Sequence, residues 1–150
     1  MDVDELRSRL TDASLVLGDI AETVPTFVDT HDPAPVAFVA VDLDYYSSTV
    51  DALRIFDVPE SRVLPRVLSY FDDIVGEDHV LQNDMVGELL AIREFNLDRK
   101  ECQILPVNGL SAKRVLPADW NDSMLAMHRF DHKTYDTYVG PPKHEQQLVL

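Results

Sequence analysis

Residues 36–44 read Val-Ala-Phe-Val-Ala-Val-Asp-Leu-Asp, and this stretch decides the fold. The first six positions are apolar without alternation. A run of that kind predicts a central parallel strand, buried on both faces beneath helices. It stops at Asp42 and Asp44. Ser47 or Ser48 then caps a helix reaching about Phe56, whose apolar positions are Val50, Leu53, Ile55 and Phe56. Arg66–Phe71 is a second apolar strand, and it too stops at acids, Asp72 and Asp73. Outward from this core the pattern continues. Asp84–Asn96 reads as a helix with Met85, Leu89, Ile92 and Phe95 on one face, and 102–107 and 125–130 read as strands. Upstream, Asp2–Leu10 reads as a helix, Ser14–Gly18 as a short buried strand and Ile20–Val28 as a helix across Thr23 and Pro25 or a turn followed by a helix, while Pro33 and Pro35 make 31–35 a loop. Strand–helix alternation predicts an α/β sheet.

The composition narrows the function. The 150 residues hold 27 acidic and 13 basic side chains, a net charge of −14, and 45% are hydrophobic. That suits one globular domain, 1–150, with 141–150 an irregular tail after Gly140-Pro141-Pro142. The acidic surplus argues against nucleic acid, which is held by clustered Lys and Arg, and against anionic membrane surfaces. No apolar run approaches the roughly 18 residues a membrane span needs. The acidic start lacks the zones of a signal peptide, and Cys102 is the single cysteine, so the chain reads as cytoplasmic. The five glycines form neither a GxGxxG turn nor a phosphate loop.

The chemistry lies in Asp42-x-Asp44 and Asp72-Asp73. In an open α/β sheet, ligands bind beyond the carboxyl ends of the strands. Parallel neighbours lie about 4.8 Å apart, so neighbouring strands would converge four carboxylates in one small volume. Like charges at that range raise one another's pKa. Either some acids are then protonated, or a cation sits among them, and oxygen-only ligands suit a hard ion such as Mg²⁺. Asp after a strand also caps the next helix or turn, which is the structural alternative for either pair alone.

The run Val-Asp-Leu-Asp-Tyr-Tyr-Ser-Ser-Thr at 41–49, a helix, and Tyr-Phe-Asp-Asp-Ile at 70–74 resemble the macrocin-type sugar O-methyltransferases, class I enzymes dependent on S-adenosylmethionine. Their pattern is Asp-x-Asp-x-Tyr-x-Ser-Thr, then a strand ending Asp-Asp-Tyr. One Asp about thirty residues before an acidic pair is also similar to catechol-type O-methyltransferases. The likeness covers about residues 14–76. It implies that Asp42, Asp72 and Asp73 hold Mg²⁺, that Asp44 is the general base toward a small-molecule hydroxyl acceptor, and that Asp19 contacts the cofactor's adenine. The family's sheet order is 3-2-1-4-5-7-6. By element order the strand at 14–18 matches the third and that at 36–41 the fourth. The implied fold is thus a partial Rossmann-like methyltransferase sheet: parallel strands plus a C-terminal antiparallel pair, lacking the first two strands and their glycine-rich loop. The chain is expected to be the carboxyl-terminal half of such an enzyme, truncated before its cofactor half, binding S-adenosylmethionine poorly alone. Methyl transfer would require the complete fold. The chain departs from the pattern at Ile74, where the family has tyrosine, and at Leu64-Pro65-Arg66, where it has Gly-Gly. The bare edge of 36–41 would be closed by 14–18 or by a second copy in a homodimer.

Two rival readings stand beside this. One is a non-catalytic remnant that binds metal or a partner. The other is a haloacid-dehalogenase-like phosphatase, whose Asp-x-Asp opens the same way; it wants Thr or Val where Tyr46 stands and a Lys that is missing between Asp44 and Asp73. His128 and His132 would share a strand face as a metal pair or a solvated strand end. Glu88 reads as a helix's polar face that could approach the metal, Trp120 as a loop residue packed on the sheet or lining a substrate pocket, and Cys102 as core.

Overall fold

The computed structural model describes residues 2–76, 81–116 and 118–137. The expectation of an irregular tail at 141–150 lies outside the described residues. The described residues form an α/β unit with a four-stranded mixed sheet. In chain order these are α1 (Val3–Arg9), α2 (Ile20–His31), β1 (Val36–Val41), α3 (Tyr46–Ala52), β2 (Val63–Phe71), α4 (Gly87–Asp98), β3 (Cys102–Pro106) and β4 (Met124–Arg129). The sheet order is β1-β2-β4-β3. β1 and β2 are parallel, and β4 runs antiparallel to both β2 and β3.

The core lies on one face of the sheet. Val41, Val67 and Phe71 from the parallel pair, with Ile104, Leu125 and Met127 from the other strands, meet Phe56, Ala91, Ile92 and Phe95 from the helical layer. Phe56 and Phe95 meet edge to face at 6.0 Å, a geometry the aromatic quadrupole favours. The two-sided burial expected of 36–41 is not found: Phe38 is 57% exposed, and its partner across the ladder, Leu68, is 51% exposed. The described helices that contribute to the core lie on the opposite face, which leaves Phe38 and Leu68 exposed.

The strand expected at 14–18 does not form either. It joins no ladder, Val16 and Leu17 are exposed, and it does not close the edge of β1. Five apolar residues can be extended, but without a neighbour to meet their N–H and C=O groups they are not a strand. The chain instead enters α2, where Asp19 caps the helix by accepting from the Ala21 amide at 2.9 Å. α2 runs through Pro25 and ends at His31, three residues beyond the expected Val28; α3 begins at Tyr46 with no side-chain cap, so neither Ser47 nor Ser48 serves as one.

Candidate metal and catalytic site

Parallel pairing builds the site. The β1–β2 register ends on Val41 opposite Phe71, so Asp42 and Asp72 leave the sheet side by side at its carboxyl end. Asp42, Asp44 and Asp72 are exposed and Asp73 is half-buried. The Tyr70 hydroxyl donates to Asp72 Oδ1, which fixes that carboxylate and, with burial, pushes the phenol's pKa up.

Asp73 carries the signature of crowding. Its pKa is raised by burial first, then by the charges of Asp44, Asp72 and Asp42 in that order. The charges of the other three acids therefore reach Asp73 through space. No ion pair among the described residues neutralises any of them. Asp73 Oδ2 is buried and accepts no hydrogen bond among the described residues.

Beneath them lies a fifth carboxylate. Glu88, in the first turn of α4, is 1% exposed. Its Oε2 accepts the Asp73 amide at 3.0 Å, while Oε1 has no partner among the described residues. Burial pushes its pKa up to about 7; the Asp73 and Leu43 amides oppose that rise, and the charges of Asp73 and Asp72 add to it. The Leu43 amide acts as a nearby dipole, short of hydrogen-bond geometry. Sequence reasoning assigns Glu88 a secondary place because its spacing fits the polar face of a helix. Its signal is its position just after Gly87, in a helix's first turn, where negative charge is favoured.

As the side chains lie, no three His, Cys, Asp or Glu among the described residues are grouped to hold one ion. The donor set is nonetheless of hard carboxylate oxygens, and the exposed Asp side chains can turn about χ1. Asp19 is engaged as the α2 cap. Next to it, a groove of about 320 Å³ runs between Ile20 and Val24 of α2 and the Val39–Leu43 stretch, reaching Asp42.

The other sequence candidates are placed elsewhere. His128 and His132 do not share a strand face, because β4 ends at Arg129. His128 Nδ1 meets the Tyr135 hydroxyl at 2.8 Å, and His132 Nε2 lies 3.2 Å from the Glu60 carbonyl. Burial, then Arg66, lowers the His128 pKa. Trp120 is 47% exposed in a turn, with the Arg114 guanidinium 5.5 Å from its ring centre. Cys102 is half-buried at the start of β3, and burial pushes its thiol up to about 11. No known family model, curated protein or solved structure matches the chain.

Proposed function

We propose that the chain is the acid-bearing part of a divalent-metal-dependent, S-adenosylmethionine-dependent O-methyltransferase. One observation carries this reading: a parallel β1–β2 pair delivers Asp42-x-Asp44 and Asp72-Asp73 to the same sheet end, with no basic residue among the described ones to neutralise them. The strand order supports it. With β1 taken as the family's fourth strand, β1-β2-β4-β3 reads 4-5-7-6, the last four of the order 3-2-1-4-5-7-6.

In this reading Asp42, Asp72 and Asp73 hold Mg²⁺, which supplies Lewis-acid polarisation of the acceptor hydroxyl. Asp73 presents its unpartnered Oδ2, and Tyr70 keeps Asp72 oriented. Asp44 would serve as the general base for the small-molecule hydroxyl. The groove beside Asp19 gives the cofactor an apolar wall that ends at Asp42. The five glycines of the sequence have neither the GxGxxG nor the phosphate-loop spacing that would cradle the rest of it.

Manganese titration followed by electron paramagnetic resonance tests the metal site. One bound ion per chain is expected, with an affinity falling at least tenfold in Asp72→Asn and Asp73→Asn. No binding at millimolar Mn²⁺ would overturn the reading. Calorimetry of S-adenosylmethionine against these 150 residues is expected to show no micromolar binding.

The uncovered sheet face favours a second reading, in which the chain is a binding module that docks a partner and performs no methyl transfer. Metal binding by a chain that never supports transfer from radiolabelled S-adenosylmethionine, even in a complete fold, would favour it.

A further inference from the structure

Two turns carry the acids, and nothing in the sheet ladder holds them once the strands have ended. The last β1–β2 pair is Val41 with Phe71, and Asp73 lies two residues beyond it. The turn after β2 is a single 3-10 turn, Asp72–Ile74, without a capping side chain, and Asp73 departs from helical geometry within it. Beyond the hydrogen bond from Tyr70 to Asp72, such a turn has little to fix it against the charges that crowd Asp73. The Asp73 amide, however, is satisfied from below by a different element, at 3.0 Å from Glu88 Oε2.

A buried carboxylate is a costly choice for that task. Glu88 is 1% exposed, and its second oxygen is left without a partner among the described residues. Burying an unmet polar group opposes folding. Its location gives the cost a purpose. Glu88 sits at the N-terminal turn of the 12-residue α4, is anchored between the buried Ala91 and Ile92 and the sheet end, and faces the Asp73 amide with the Leu43 amide nearby. These amides belong to the two acid-bearing turns, one after each strand.

We propose that Glu88 is the positioning residue of the acidic site: from beneath, its carboxylate pins the Asp72–Asp73 turn beside the Asp42–Asp44 turn, so that both acid pairs stay at one end of the sheet. This rests on the metal reading for its use, but the pinning itself is a property of the chain. Glu88 touches no reactant; it acts through the backbone of Asp73. Asp73 Oδ2 is buried within this arrangement and has no hydrogen-bond partner among the described residues.

The test compares Glu88→Gln, whose side-chain carbonyl can still accept the Asp73 amide, with Glu88→Leu, which fills the space and accepts nothing. Native-state hydrogen exchange on the ¹⁵N-labelled full chain reads the pinning directly. Protection of the Asp73 amide is expected to stay within threefold of wild type in E88Q and to fall at least tenfold in E88L, with the Val41 and Phe71 amides unchanged in both. Manganese affinity is expected to follow: within threefold for E88Q, at least tenfold weaker for E88L. Equal Asp73 protection in all three proteins would overturn the proposal. So would loss of manganese binding in E88Q with Asp73 protection intact, because Glu88 would then be a ligand itself. Should the wild type bind no manganese, the metal reading fails, while the exchange result still decides the pinning. Should E88L unfold, its near-ultraviolet circular dichroism shows it, and the E88Q results decide: Asp73 protection lost in a folded E88Q also overturns the proposal.

Discussion

Single residues show how burial sets chemistry here. Cys102 is the only thiol, and burial outweighs the pull of Arg129 and Arg99 on its ionised form. A thiol moved from 9 to about 11 carries roughly a hundredfold less thiolate at pH 8. A more basic thiolate is intrinsically more nucleophilic, which returns part of that loss. Iodoacetamide at pH 8 is therefore expected to alkylate native Cys102 at least about tenfold more slowly than the unfolded chain. Equal rates would show the thiol to be ordinary. His128 makes a second residue-scale case. The fold resists its protonation through burial and then Arg66, so its pKa is lowered. An unfolded imidazole accepts its proton near pH 6.5. The stability from this group is thus present above about 6.5 and is lost as pH falls through the lower folded value. Between pH 7.5 and 5.5, wild type is expected to lose more melting temperature than His128→Gln. Parallel curves would remove His128 from the acid response. The buried acids work in the opposite direction, so the difference between the two proteins is the quantity to read.

At the scale of elements, what the sequence disclosed is what local patterning encodes. β1 was legible at 36–41 because six apolar residues are bounded by Pro35 and Asp42. The acids at the strand ends were legible because neighbouring parallel strands deliver their carboxyl-terminal residues to one edge of the sheet. β2 was read from Arg66, yet the strand begins at Val63, before Pro65. The register explains it: Val36 pairs with Val63 but Phe38 with Leu68, and on the other side pairing starts at Arg66, so Pro65 lies where no ladder bond is needed. Glu88 was only half legible, because a buried carboxylate beneath a sheet end and a solvated one on a helix face look alike in sequence. Asp19 is the element whose role can be divided by mutation. As a cap it satisfies an α2 amide, and Asp19→Ala is expected to cost about 1 kcal/mol, some 2–4 °C of melting temperature, while Asp19→Asn stays near wild type. No change in Asp19→Ala would show that the cap contributes nothing and that the residue is there for another reason.

For the whole molecule, the decisive imbalance is between the two faces of its sheet. The ladders align Phe38, Leu68, Ala126 and Leu105 in one row across all four strands, and three of these are substantially exposed. Among the described residues, the outer edge of β1 beside them is unpaired. Apolar surface of this kind drives association, either edge to edge as a homodimer or face to face. Against it stands the net charge of −14, which makes two copies repel. The repulsion reaches about 30 Å at 0.01 M salt and about 8 Å at 0.15 M, whereas apolar attraction does not fade with salt. Which force dominates is thus set by ionic strength. Light scattering is expected to show the 17.0 kDa chain alone at low salt and larger species at 0.5 M NaCl. The double variant Phe38→Lys, Leu68→Lys is expected to stay single at both. Association that weakens with salt would assign it to charged contacts instead. A variant that associates as wild type does would move the interface off this face and leave the β1 edge to account for it.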